Sequence, residues 1–466
     1  MVFETIYQWK SQKIPTEYTD AAIVFHTSCV NFPSSDLQHV NQLGLKCVLP
    51  DNVFRELSLL QESAVFGEKA KCLLRICGTS PNYVARWDLE QLYENSRKVK
   101  MPDKHSLAMV FVFGDLNKLD EFLRCIRVDA GNLYVMLCEG WSCVDGIATV
   151  YPVQSLKGYA VRRVEPLTPH LPARSIADYP SLCVKRSANA CPHMVDGKSF
   201  HPTRMYGGNA SIFESTDFPN HLMKGYKGFA LTGSQVKKLE NLQYLGQSIP
   251  GAHMALPEAL LYRDDSSIVG YIMKKIDQCT AVRTIMSTGW EAYDLPLILR
   301  RLLLLILELH CMHIIVNDLS FNNVLIGKNN DVYLVDCDSF QMFHYPGGGI
   351  TEIYEHPELD PDKAYNTLRE PRHEYFSLAV LLFQCLFFDD PLRQVQSAED
   401  ERVLSWKNAS FPLEVDGRKN GFEVNRATLR NWLAQPRKLR KAFVDEFCYK
   451  RDYSVGAWIR VLGLLD

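Results

Sequence analysis

Two polar stretches, set close together about two thirds of the way along the chain, constrain it most. The first is Leu309-His310-Cys-Met-His-Ile-Ile-Val-Asn317-Asp318-Leu-Ser-Phe-Asn-Asn323, and the second is Val332-Tyr-Leu-Val-Asp336-Cys-Asp338-Ser-Phe340. Asp318 and Asn323 are five residues apart, Asn323 and Asp336 thirteen, and His310 stands eight before Asp318. Two carboxylates and an amide are so spaced that one can meet a hydroxyl while the others hold metal ions. A lone Asp-x-x-x-x-Asn is a weak signal, but the ordered set is a strong one.

At 466 residues the chain is longer than one typical domain, and two or three are expected. A hydrophobic content of 47% with 23% charged residues suits globular domains with sizeable cores. A net charge of -3 gives no reason to expect nucleic-acid or membrane binding through bulk electrostatics. No basic start followed by an apolar core opens the chain, so no signal peptide is visible. Leu302-Leu-Leu-Leu-Ile-Leu307 is too short to span a bilayer and reads as a buried helix. Fourteen scattered cysteines without a Cys-x-x-Cys pair predict reduced thiols and a cytoplasmic location. Cys183, Cys191, His193 and His201 fall close together, yet match no common zinc spacing; loop residues near a domain junction are expected there.

Three regions follow from texture. Residues 1–150 alternate strand-like runs (Ala22–Phe25, Lys46–Leu49, Asn132–Leu137) with helical ones (Val53–Leu60 and Lys104–Leu123), which predicts a parallel α/β sheet. Residues 151–204 are rich in proline and basic residues and read as a connecting region with little structure of its own. From residue 205 a small strand-rich part precedes many helices. Asp294 is placed to cap a helix with Pro296 in its first turn, and Phe376–Phe387 is apolar on nearly every face.

The two opening stretches resemble the catalytic and metal-binding loops of protein kinases. The Asp-x-Asp-Ser-Phe wording resembles a divergent bacterial branch of that superfamily. The resemblance covers roughly 205–466 and implies a two-lobed fold, with an N-lobe over about 205–275 and a C-lobe over about 276–466. It implies that Asp318 accepts the substrate hydroxyl's proton, and that Asn323 and Asp336 hold Mg²⁺ or Mn²⁺ beside ATP. Gly207, Gly208 and Ser211 resemble the phosphate-covering turn. Lys224, preceded by apolar residues as in the family, or Lys227 would grip the α- and β-phosphates. Glu240 on a helix would pair with that lysine, and Met273 would lead to the adenine-binding hinge. Tyr354-Glu-His-Pro357-Glu358 resembles the end of the activation segment, Glu374-Tyr-Phe-Ser377 the family's Asp-x-Trp-Ser, and Arg451 would form a buried ion pair with Glu358.

Three positions depart from the pattern. Asn317 stands where most kinases have Arg, which in them often binds a phosphorylated activation loop. Ser320 replaces a catalytic-loop Lys that balances γ-phosphate charge. Asp338 replaces a flexible Gly, and either adds a metal contact or faces solvent.

Ile23-Val-Phe-His26 and Val53-Phe-Arg-Glu56, with Asp103 opening a later segment, resemble a PIN-type nuclease domain. The resemblance implies a metal cluster of His26, Glu56, Asp103 and Glu139. His26 stands where that family has Asp, which argues for a degenerate site, since two-metal hydrolysis wants several converging carboxylates. The chain is therefore expected to be multidomain, α/β plus α+β: a PIN-like domain followed by a kinase-like one. Its expected activity is ATP/Mg-dependent phosphorylation of Ser/Thr hydroxyls on a protein substrate. A nucleotide-binding pseudokinase, a PIN ribonuclease acting on RNA, and AMP transfer stay open as alternatives. Substrate, trigger and oligomeric state are not legible in one sequence.

Overall fold

A computed structural model describes residues 20–31, 46–78, 84–85, 107–113, 133–137, 151–152, 182–185, 193–195, 198–206, 210–216, 219–226, 231–249, 253–262, 268–342, 345–359, 367–392, 411–419 and 424–465. Gly207, Gly208, Lys227, Asp103 and Glu139 lie outside the described residues. The chain divides into two compact units. One comprises Met1–Glu165, Leu303–His313 and Arg451–Asp466; the other comprises Pro166–Leu302 and Ile314–Lys450.

The first unit is built on a six-stranded sheet. Its strands are β1 (Asp20–Phe25), β2 (Lys46–Pro50), β3 (Val84–Ala85), β4 (Leu107–Phe113), β5 (Leu133–Leu137) and β6 (Tyr151–Pro152), in the order β3-β2-β1-β4-β5-β6. All neighbours are parallel except β5 and β6. The expected parallel α/β sheet is present, with one correction. Leu107–Phe113, which the periodicity placed in a helix, is the strand β4 paired with β1 and β5. Leu-Ala-Met-Val-Phe-Val-Phe is a continuous apolar run, and a strand covered on both faces carries no alternation to distinguish it from a buried helix.

Helix α1 (Asp51–Leu60) starts directly from β2, and α2 (Gly67–Gly78) follows. The chain's last helix, which belongs to this unit, packs on α1. Gly456 lies so close to it that a Cβ would overlap the Asn52 carbonyl. The close approach lets Glu56, 8% exposed, accept from Gly456 N–H at 3.2 Å and from the Thr27 hydroxyl at 2.5 Å. Arg460 reaches Asp51 at 2.8 Å on the same interface.

The second unit begins with a closed barrel. Its strands are β7 (Leu182–Lys185), β8 (His193–Val195), β9 (Lys198–Tyr206), β10 (Ala210–Glu214), β11 (His221–Tyr226), β12 (Pro257–Tyr262) and β13 (Ile268–Lys274), in the order β10-β11-β13-β12-β7-β8-β9. The region read as a connection with little structure thus supplies three barrel strands. Cys183, His193 and His201 lie on these strands and not on loops. Phe213, Met223, Leu261 and Ile272 fill the barrel core. Helix α3 (Gly233–Ser248) opens on a capping box between Thr232 and Gln235.

The remainder of this unit is mainly helical. It holds β14 (Thr280–Ala281), α4 (Val282–Thr288), β15 (Ile314–Ile315), β16 (Val324–Ile326), β17 (Val332–Leu334) and β18 (Gln341–Met342). Helix α5 (Leu295–Cys311), divided between the two units, is capped as its sequence predicts: Asp294 Oδ1 accepts from Leu297 N–H at 3.1 Å. The predicted buried helix is α6 (Pro371–Phe387), surrounded by Phe411, Trp432 and Phe443 from the segments that follow. Helices α7 (Arg426–Ala434) and α8 (Arg437–Tyr449) complete the unit, and α9 (Val455–Leu462) is the helix on α1.

Glu56→Ala leaves the Thr27 hydroxyl and the Gly456 N–H buried without this acceptor, at a cost of about 2–3 kcal/mol. A urea titration followed by tryptophan fluorescence should show an earlier midpoint; a superimposable curve would disprove this structural role.

Candidate functional site

The catalytic-loop stretch is held from beneath by α6. Glu374, 2% exposed, accepts the Val316 N–H at 2.5 Å and so anchors the loop's main chain. Tyr354 OH donates to Gln384 and accepts from Phe321 N–H, bracing the same loop two residues before Asn323. Asn323 Nδ2 then donates to Asp318 twice, to its main-chain oxygen at 2.9 Å and to Oδ2 at 2.8 Å. Asp318 Oδ1 accepts from Thr351 N–H at 2.9 Å. Asp318 and Asn323 are thereby brought into one cluster with fixed orientation.

Asn317, 2% exposed, donates to the carbonyls of Gly348 (2.9 Å) and Gly349 (3.4 Å). An amide thus links the stretch that carries Asp318 to the segment that follows Met342. Ser320 is fully buried, and among the described residues its hydroxyl has no hydrogen-bond partner.

Asp336 follows β17 in a left-handed conformation, φ 62°, which starts the tight turn Cys337–Ser339. The turn brings both its carboxylate and that of Asp338 to Lys224. The Lys224 ammonium, from β11, donates to Asp336 Oδ1 and to Asp338 Oδ1, the latter at 2.5 Å. Asp338 also accepts from Tyr226 OH at 3.0 Å and Tyr271 OH at 2.9 Å. Lys224 is thus the described lysine that meets the turn carrying Asp336 and Asp338.

Burial alone would depress the Lys224 ammonium, but the carboxylates of Asp338 and Asp336 overcome it and hold the group above its ordinary value. Burial likewise works against the Asp338 carboxylate, yet Lys224 and the two tyrosine hydroxyls hold it below its usual range. Asp336 is held above the usual range, by burial and by the neighbouring Asp338 charge.

The helix α3 is charged differently from expectation. Glu240 is exposed, and the lysine's partner is Asp338 instead. The residue that α3 turns inward is Lys238, 4% exposed, whose Nζ donates to Pro346 O at 2.9 Å. A helix places residues i and i+4 on one face, and Lys238 is four before the fully buried Leu242. That spacing was the signal in the sequence that could have identified it. Glu358 and Arg451, expected to be buried, are each exposed. Glu358 pairs with Arg372 at 2.8 Å, and the buried pair is Arg369 with Glu355 at 3.6 Å.

Ser211 sits on β10 opposite Gly225, and buried Met273 on β13 opposite Leu222. In the first unit, His26 Nδ1 is engaged by Ser28, and Glu56 is the carboxylate bound by Thr27 and Gly456. Among the described residues no group of three or more His, Cys, Asp or Glu side chains is disposed to hold a metal ion.

No family model matches the chain. Two curated relatives are similar over 199 residues at 23% identity: Protein kinase YegI of Escherichia coli O157:H7 and of strain K12. The similar region is 39% of this chain and only 30% of theirs. Among solved structures, the ROP18 kinase domain in complex with AMP-PNP and sucrose is 12% identical and aligns with 42% of this chain and 65% of its own. Its TM-score is 0.32, too low to establish a shared fold. The sequence similarity to protein kinases supports a kinase-like character for part of the chain, and none of these similarities bears on the PIN-like resemblance.

Burial holds the Lys238 ammonium down to about 8, the nearby Asp338 only partly offsetting it. An unfolded lysine titrates near ~10.4, so between about pH 8 and about 10 the unfolded chain binds more protons and stability rises with pH. Below that window the folded chain carries the full burden of a buried charge. Lys238→Met should stabilise the protein by ~2 kcal/mol at neutral pH and flatten the rise. Urea unfolding across this range tests it; a variant no more stable than its parent at pH 7 would contradict the assignment.

Proposed function

We propose that the second unit is an ATP/Mg-dependent protein kinase transferring the γ-phosphate to Ser/Thr hydroxyls of a protein substrate. In this reading the first unit is a PIN-like recruitment module that performs no chemistry. One observation carries the reading: Lys224 from the barrel meets Asp336 of the metal loop, while Asn323 of the catalytic loop orients Asp318. Phosphoryl transfer asks mostly for positioning and charge neutralisation, and these four side chains supply its parts.

Lys224 binds the α- and β-phosphates of ATP. Asp318, with Oδ1 on Thr351 N–H and Oδ2 on Asn323, orients the incoming hydroxyl and takes up its proton. Asn323 uses its amide N–H groups on Asp318, which leaves its carbonyl oxygen for a cation, and the Asp336 side chain is half-exposed. An amide oxygen and a carboxylate are hard oxygen donors that fit Mg²⁺ or Mn²⁺. Such an ion, when bound, supplies charge neutralisation at the phosphates.

Ser/Thr specificity and the PIN-like assignment rest on the sequence resemblances. A cytoplasmic location is part of the proposal: the described cysteines are free thiols, and among the described residues no helix is long and apolar enough to cross a membrane. One observation favours a second reading, nucleotide binding without transfer. Ser320 offers no cation to the γ-phosphate where kinases have Lys.

Purified protein incubated with γ-labelled ATP and Mg²⁺ should label itself or an added protein substrate. Asp318→Asn should lower the rate by about 10²–10⁴-fold, and Asp336→Ala should abolish it. Label transfer that survives Asp336→Ala would defeat the proposed metal role, and transfer from α-labelled ATP would assign AMP transfer instead. Nucleotide binding with no transfer from the parent would establish the second reading.

A further inference from the structure

We propose that Asp338 is the positioning residue that holds Lys224 for the nucleotide phosphates, doing from the metal loop what a helix carboxylate does in kinases. The inference rests on the nucleotide-binding reading above and deepens it.

The two carboxylates that meet Lys224 are not equivalent. The Asp336 side chain is 42% exposed, whereas that of Asp338 is 14% exposed and enclosed by donors. Lys224 and Tyr271 share Asp338 Oδ1, and Tyr226 occupies Oδ2. Both oxygens thus accept from protein donors, and Asp338 is turned to the barrel strands more than to solvent. Asp336 is the one that can turn to a cation. When it does, Lys224 keeps its second partner.

Strand geometry makes the enclosure inevitable. Tyr226 lies two residues after Lys224 on β11, so both side chains leave the same face. Lys224 is the direct cross-strand partner of Tyr271 on β13. Gly270 allows the two strands to close at this point, where a Cβ would overlap the Lys224 carbonyl. Three donors from two strands therefore converge on one spot, and the turn after Asp336 delivers a carboxylate to it.

Helix α3 brings no carboxylate there. Glu240 is exposed, and the inward residue Lys238 is a cation bound to Pro346 O. A second ammonium beside Lys224 repels it, which makes the Asp338 charge more necessary. Because lysine partner and metal ligand both belong to residues 336–338, the grip on the phosphates draws its carboxylates from the metal loop and not from α3.

Binding of MgADP to the full chain, measured by titration calorimetry, tests the assignment. Lys224→Met and Asp338→Asn should each weaken binding by about tenfold or more, the scale of a charged hydrogen bond. If Asp338 acts through Lys224, the double variant should be weaker than either single one by no more than about threefold. Tyr271→Phe, which keeps the ring and removes one donor to Asp338, should weaken binding about threefold. Should Asp338→Asn fail to fold, parental affinity in Tyr271→Phe overturns the proposal. Additive losses, or parental affinity in a folded Asp338→Asn, also overturn it. So does a loss in Glu240→Gln as large as that in Lys224→Met, which would return the role to the helix. A parent that binds no MgADP overturns the kinase reading itself, whatever the variants do.

Discussion

The ammonium of Lys224 is the charge around which the second unit is organised. It is 7% exposed, and an ion removed from water to that degree persists only if opposite charge and hydrogen bonds replace its hydration. Asp338 supplies the charge, and Tyr226 and Tyr271 satisfy the rest of that carboxylate. The lysine and tyrosines belong to the barrel, whereas both carboxylates belong to the turn that follows β17. Each side would be left with buried, unpaired groups without the other. A single cluster thus ties the barrel to the loops that carry Asp318 and Asn323.

This arrangement fixes what α3 can contribute. With the carboxylate provided by the metal loop, an inward glutamate would place a third negative charge beside Asp336 and Asp338. The inward residue is instead Lys238, and burial lowers its basicity, with Asp338 opposing and Lys224 adding to the effect. Its bond to Pro346 O attaches α3 to the segment after the metal loop through a neutral acceptor.

Much of this was legible where local rules suffice. Asp294 with Pro296 marks the start of α5, and an all-round apolar helix can only be α6 at the centre of a helical subdomain. The spacing of Asp318, Asn323 and Asp336 was also legible, because turn geometry ties those positions to one another. What escaped were matters of orientation and partnership. Nothing in Leu107–Phe113 separates a doubly buried strand from a helix until β1 and β5 flank it. Choosing Glu240 over Lys238 followed charge in place of helical phase, although Leu242 indicated which face turns inward. Asp338 was unreadable from its neighbours, since the two tyrosines that engage it come from strands 112 and 67 residues away. Glu358 and Arg451 were expected to be buried and are each exposed, whereas Glu355 forms an ion pair with the buried Arg369.

Asn317 extends the same logic to the far side of the site. In the protein kinases that this stretch resembles, the arginine at this position often binds a phosphorylated activation loop. An amide donates to main-chain carbonyls without acquiring any charge to balance, and Asn317 does so to Gly348 and Gly349. Lys238 grips the neighbouring Pro346 carbonyl, and Thr351 N–H reaches Asp318. Every one of these acceptors and donors is part of the chain as synthesised. The segment from Pro346 to Thr351 is therefore held on Lys238, Asn317 and Asp318 by groups of the chain itself.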